Sequence, residues 1–100
     1  MISETTIRKV RELAIEDVLS PYVRLSRKGL TLMGLCPFHS EKTGSFAVTP
    51  SKNLFHCFSC NRGGDSITFT MEKENLSFSS AVEFIANNHK DIYKMKTSSK

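Results

Sequence analysis

The sequence predicts a small α+β domain: an antiparallel β-sheet pinned at one end by a metal site, with helices before and after it. Three observations carry this expectation. Metal-ligating residues come in two pairs, Cys36 with His39 and Cys57 with Cys60, each pair separated by two residues. Between Tyr22 and Phe58, short runs of strand-forming residues alternate with turn residues. On either side, apolar residues recur at three- and four-residue steps, the period of a helix that packs on a core.

At 100 residues the chain makes one domain, 1–100. It divides into an N-terminal helical segment (1–20), a sheet segment with the ligand pairs (21–64), C-terminal helices (65–90) and a polar tail (91–100). Only 39% of the residues are apolar, a lean core for a domain of this size, so a further staple would help it fold.

Each element follows from local chemistry. Ser3 caps a first helix in which Ile7, Val10 and Leu13 or Ala14 share a face. Ile15, Val18 and Leu19 continue it after a break near Ala14, and Pro21 ends it. YVRL and GLTLMGL are short strands with the turn RKG between them. SFAVT stops at Pro50, SKN turns the chain, and NLFHCF is the next strand. NRGGD is a loop whose glycines permit unusual backbone angles. Asp65 caps a helix over Ser66–Glu74, and a last helix begins at Ser77, with Leu76 and Ala81 placed as a hydrophobic staple and Ala81, Val82 and Ile85 facing inward.

Charge is unevenly spread. From Pro21 to Gly64 there are six basic residues (Arg24, Arg27, Lys28, Lys42, Lys52, Arg62) against one acid, Glu41, whereas the rest of the chain is close to neutral. A local basic field favours polyanions. No run of about 18 apolar residues exists to span a membrane, and MISETTIRKV lacks the apolar stretch of a signal peptide. The expected location is the cytoplasm, where thiols stay reduced.

With only three cysteines, a disulfide framework is a poor fit. Two ligand pairs joined by a loop of roughly 15–20 residues have the spacing of a zinc site. A pair on a tight turn can aim both donor atoms at one point, and two such turns supply the four ligands that tetrahedral Zn²⁺ takes. Cys36, His39, Cys57 and Cys60 therefore predict one structural Zn²⁺ in a zinc ribbon, with no open position for catalysis. His56 competes with His39, but it adjoins Cys57 on a strand and so points to the opposite face. Redox chemistry at Cys57–Cys60 is the weaker alternative, because Asn61–Gly64 separates the pair from the next helix. No other catalytic signature is present.

At these residues the chain resembles a known family. GLCPFHSEKTGSFAVTPSKNLFHCFSC, then GGDSITFTM, then LSFSSAVEFIA, is similar to the N-terminal zinc-binding domain of bacterial-type DNA primases. The resemblance implies metal ligands at Cys36, His39, Cys57 and Cys60. It implies a non-catalytic module that binds single-stranded DNA template, helps select where priming starts, and supports RNA primer synthesis by a separate primase catalytic domain, with the replicative helicase as a further partner. The alternative is a stand-alone zinc-ribbon module that docks on a polymerase or helicase. The chain departs from the family pattern at Gly44, where proline is usual, at Ser59, where glycine is usual, and at Ser79 and Ser80, where proline and an acid are usual. The catalytic topoisomerase–primase domain lies outside these 100 residues, so the chain is expected to be either a fragment of a primase or a stand-alone relative.

For binding, Lys42, Lys52 and Arg62 are expected on loops near the ligand turns, and Arg24, Arg27 and Lys28 on the first hairpin, where they track phosphates. Phe55 and His56 are candidates for stacking unpaired bases, with Phe38, Phe46 and Phe58 considered beside them.

Overall fold

A computed structural model of the chain describes residues 3–38 and 44–89. Nine elements follow in order: α1 (Glu4–Glu12), α2 (Ile15–Leu19), β1 (Ser26–Lys28), β2 (Thr31–Gly34), β3 (Phe46–Thr49), β4 (Leu54–Cys57), β5 (Arg62–Gly64), α3 (Ser66–Glu74) and α4 (Phe78–Asn88). The strands form one antiparallel meander, ordered β1-β2-β3-β4-β5. This is the expected α+β architecture. Among the described residues no helix is long and apolar enough to cross a membrane.

The sheet has one dry face. Register aligns Gly34, Phe46, Cys57 and Arg62 across four strands, and Leu32, Val48, Phe55 and Gly64 in the next row on the same side. The helices close over that side. Phe69 of α3 meets Phe46 and Phe55 with ring centroids 6.1 and 5.4 Å apart, and Val10, Ile15, Leu19, Val82 and Ile85 complete the core. Strand residues alternate across the sheet, so His56 and its row-mates Met33 and Ala47 lie on the other face.

The helix break near Ala14 has a long-range cause. The side chain of Asn53, on the β3–β4 turn, accepts from Ile15 N–H at 2.9 Å and donates to the carbonyls of Leu13 (3.0 Å) and Arg11 (3.2 Å). One amide thus satisfies the end of α1 and the start of α2, groups that helices leave unpaired. Asn53 itself sits at φ +58°, a left-handed angle that asparagine tolerates better than most residues. Ser3, Asp65 and Ser77 cap α1, α3 and α4 with their side chains, as their sequence positions predict.

Two expectations need correction. YVRL is not a strand; β1 lies four residues later, over Ser26–Lys28, and the turn is Gly29–Leu30 rather than RKG. The N–H groups of Tyr22 and Val23 both bond back to Leu19, continuing the turn of α2. The Arg24 carbonyl then crosses over Gly34, where a Cβ would come within 2.6 Å of it. The apolar character of YVRL serves this crossing: Val23 is buried, and the Tyr22 hydroxyl donates to Glu74 at 2.6 Å. Gly29, at φ +68°, opens a two-residue hairpin loop, as the left-handed first position of such loops requires. The second correction is β5, which occupies Arg62–Gly64 where a loop was expected. Glycine is a poor strand former, yet it is needed here. A Cβ at Gly63 would lie 3.0 Å from the Phe55 carbonyl, and Gly64 takes φ +148° with the Thr68 side chain 2.9 Å from where its Cβ would be.

Replacing Asn53 with Ala should cost about 2 kcal/mol of unfolding free energy, the net value of hydrogen bonds lost at two helix ends. Asn53→Gly keeps the backbone angle but not the bonds. A chemical-denaturation midpoint close to wild type for Asn53→Gly would show that the backbone angle, not the amide, is what matters.

Candidate metal centre and nucleic-acid face

Both halves of the metal centre leave the same end of the sheet. β2 runs into Leu35 and Cys36, and β4 ends at Cys57, with β3 between them holding Gly34 and Cys57 on either side of Phe46. The register therefore fixes the distance between the two ligand turns. The sulfurs of Cys36, Cys57 and Cys60 all lie within 4.8 Å of one another, and Cys36 Sγ to Cys60 Sγ is 3.7 Å. A disulfide would need about 2.05 Å. Zn–S bonds of about 2.3 Å at tetrahedral angles put neighbouring sulfurs roughly 3.8 Å apart. The donor set and its spacing thus fit one zinc ion.

Each turn is shaped locally. In the first, Phe38 N–H donates to Cys36 Sγ at 3.4 Å. In the second, Asn61 takes φ +60° and returns its N–H to the Cys57 carbonyl at 2.7 Å. The N–H groups of Cys60 and Ser59 point at Cys57 Sγ. Ser45 approaches the same sulfur at 3.9 Å and bonds Ser59 through its hydroxyl at 2.6 Å. Ser59 is thereby tied into the turn.

Ionisation in the metal-free cluster is uneven. Burial pushes the Cys36 thiol up to about 12, only partly offset by the N–H of Phe38. Burial also acts to raise Cys57, but the N–H of Cys60, the neighbouring thiols of Cys36 and Cys60 and the N–H of Ser59 outweigh it, so Cys57 falls to about 7. Of the two, Cys57 ionises the more readily and Cys36 the less.

His39 and Lys42, expected as ligand and phosphate contact, lie outside the described residues. The other predicted contacts divide. Arg24, Arg27, Lys28 and Lys52 are exposed. Arg24 precedes the hairpin, while Arg27 and Lys28 are in β1. Lys52 is not near the ligand turns: the β3–β4 turn that carries it is at the opposite end of β4 from Cys57. Arg62 is on strand β5 opposite Cys57, not on a loop. Its guanidinium bonds Glu72 at 2.9 Å and lies 4.9 Å from the centre of the Phe38 ring. Phe55 cannot stack a base, being 3% exposed and stacked on Phe46 at 5.4 Å in the core. Phe46 is fully buried and Phe38 packs against the core.

His56 and Phe58 are on the open face, as alternation predicts. Their rings meet edge to face at 4.6 Å, and Phe58 is 69% exposed. Ala47 and Gly63 flank His56 in the register, and a Cβ at Gly63 would reach within 3.1 Å of the His56 ring. With small neighbours on both sides, that ring is half-buried. Leu35 and Leu54 are also exposed. Asn61, Ser45 and Glu72, the carboxylate partner of Arg62, were not singled out from sequence. For Asn61 a signal existed, since asparagine directly after a ligand pair suits a left-handed closing residue.

This fold and sulfur cluster define a zinc-binding ribbon. The chain belongs to the CHC2 zinc finger family, whose model matches residues 2–100. It is 45% identical over 93 residues to a DNA primase of Listeria monocytogenes, covering 91% of this chain and 15% of that protein. It is 50% identical over 88 residues to a DNA primase of Mycobacterium tuberculosis, covering 86% of this chain and 14% of that protein. A crystal structure of the Aquifex aeolicus primase, comprising its zinc-binding and RNA polymerase domains, superposes with a TM-score of 0.78 at 39% identity, over 88% of this chain and 22% of that one. The chain is a zinc-binding domain of the primase type and spans a small part of the relatives it matches.

Zinc binding to the metal-free chain should release protons, because Cys36 at about 12 is protonated at neutral pH and must ionise to bind. Affinity should therefore rise with pH, and fall further below about 7 as Cys57 also becomes protonated. Calorimetry in two buffers of different ionisation heat gives the proton count; a count near zero at neutral pH would contradict the assignment.

Proposed function

We propose that this chain is the template-binding module of a DNA primase: it holds single-stranded DNA while a separate catalytic domain makes the RNA primer. The observation that carries this reading is the aromatic pair of half-buried His56 and exposed Phe58, on the sheet face away from the helices and beside the metal centre. Unpaired bases stack on such rings, each worth about 1–3 kcal/mol, without much regard to sequence. Cations stand at the other end of the same sheet. The β1–β2 and β3–β4 turns are both remote from the sulfurs, and they bring Lys28 and Lys52 to that end. Arg27, in β1, lies between the two ends, and Arg24 precedes the hairpin at the level of Gly34, on the metal side; Lys42 is a further candidate on sequence alone. Arg62 is left out of this set because its guanidinium already holds Glu72.

The fourth zinc ligand in this reading is His39. It follows Cys36 at the spacing by which Cys60 follows Cys57, and a neutral imidazole completes a closed tetrahedral site. The ion then has a structural role and the module no catalytic one. Exposed aliphatic side chains on the same sheet face, Leu35 and Leu54, favour a second reading, in which the face docks on a helicase or polymerase partner.

His39→Ala should lose zinc and loosen the fold, since structural zinc binding is coupled to folding. His56→Ala should keep one zinc per chain. Elemental analysis of the two purified variants decides the ligand, and zinc retained in the first but lost in the second would reverse the assignment.

DNA binding has its own test. Single-strand affinity, measured by fluorescence anisotropy at low salt, should fall as salt rises, with a slope of about −2 if three phosphates are neutralised. Lys28→Ala and Lys52→Ala should make that slope shallower. Phe58→Ala should weaken binding and leave the slope unchanged, because stacking releases no counterions. Absence of binding to any single strand at low salt would end the DNA reading and leave protein docking in the lead.

A further inference from the structure

Arg62 belongs to the basic segment, and its charge alone suggests a phosphate contact. Its surroundings suggest otherwise. We infer that Arg62 is a positioning residue for the metal centre: with Glu72 as its anchor, it clamps the Cys36–Phe38 turn in the geometry that binds zinc. The inference rests on the zinc reading of the sulfur cluster and is independent of whether the domain binds DNA.

The first ligand turn needs outside support. β2 ends at Gly34, so Cys36, Pro37 and Phe38 have left the ladder. Two cations from the other side of the domain hold this turn. Lys73 Nζ of α3 donates to the Pro37 carbonyl at 3.3 Å. Arg62 of β5 places its guanidinium 4.9 Å from the Phe38 ring centre. The other side of that ring's environment is aromatic, with Phe69 at 5.2 Å and Phe55 at 6.2 Å. Phe38 is therefore held between a planar cation and the core, and its own N–H is the donor to Cys36 Sγ. Fixing the ring fixes the peptide that orients the sulfur. Arg62 also pairs in register with Cys57, so a single residue spans both ligand turns.

The chemistry requires arginine. A planar guanidinium can lie over a ring and still bond a carboxylate through one edge. Glu72 and Lys73 are consecutive on α3, so one turn of that helix supplies both the anchor for Arg62 and the second cation. Groups of this kind, one shell out from the metal, typically change affinity by about 10–100-fold when removed.

The experiment measures the rate at which the intact zinc-loaded chain gives up its metal to an excess of a chromogenic chelator. Arg62→Ala should speed release by about tenfold, at the lower end of the range for such supporting groups. Glu72→Gln keeps size and shape, so its fold is safe; it removes the negative charge that anchors the guanidinium and should speed release by a smaller factor. Arg62→Lys keeps the charge without the plane and should fall between Arg62→Ala and wild type. None of the three should alter the salt slope of single-strand binding. Release at the wild-type rate in both Arg62→Ala and Glu72→Gln overturns the inference. A salt slope shallower by about 0.7 in Arg62→Ala, with zinc release unchanged, makes Arg62 a phosphate contact instead. If no variant and no wild-type chain binds DNA, the template-binding reading fails while the release rates still decide this one.

Discussion

Everything in this domain depends on bringing three sulfurs to one point from two separate turns. The turns are far apart in sequence, and the pairing of β2, β3 and β4 links them. A slip of one residue would turn every side chain to the opposite face. Cys57 would then leave the core side and the cluster would come apart. Gly34 helps hold the register, because only a residue without a Cβ allows the Arg24 backbone to cross at that level. Zinc in turn supplies what a lean core lacks. The aromatic cluster of Phe38, Phe46, Phe55 and Phe69 sits next to the metal turns, so packing and coordination stabilise the same strands.

Alternation along β4 divides the aromatic residues by purpose. Phe55 and Cys57 face the core, while Leu54, His56 and Phe58 face out. That split was legible in the sequence once Cys57 was assigned to the metal, since a strand permits no other arrangement. The same alternation excludes Phe55 from base stacking. A phenylalanine sharing the side of a buried ligand is committed to the core, and only its outward neighbours remain free to meet a base.

Caps, ligand spacing and the two C-terminal helices could be read from sequence because they rest on residues within a few positions of each other. The misplaced β1 and the missed β5 are long-range effects. YVRL has the composition of a strand, but its apolar residues are satisfied by packing after α2. RGG has the composition of a loop, but close approach to Phe55 and Thr68 demands glycine there. The break at Ala14 was visible in the helical pattern, while its cause, Asn53, lies 38 residues from Ile15. Arg62 is a case of the same kind. Its charge was visible, but the glutamate and the ring that occupy it are brought together only by the fold.

Charge explains why the two halves of the proposed binding face differ. A zinc ion held by three thiolates carries a net charge of about −1 if the fourth ligand is neutral. Phosphates approaching that end of the sheet would be repelled within a Debye length of roughly 8–10 Å. Among the described residues, Arg62 and Lys73 stand beside the ligand turns and are held by Glu72, Phe38 and Pro37, and their charge serves to offset the thiolates. Lys28 and Lys52 are exposed at the far tips, and Arg24 is exposed at the level of Gly34. Near the metal the face offers aromatic rings, to which bases bind through stacking rather than charge. A single strand laid along β4 would thus place its bases toward the zinc end and find its phosphate partners at the tips. This polarity follows from the metal's own charge together with the strand register.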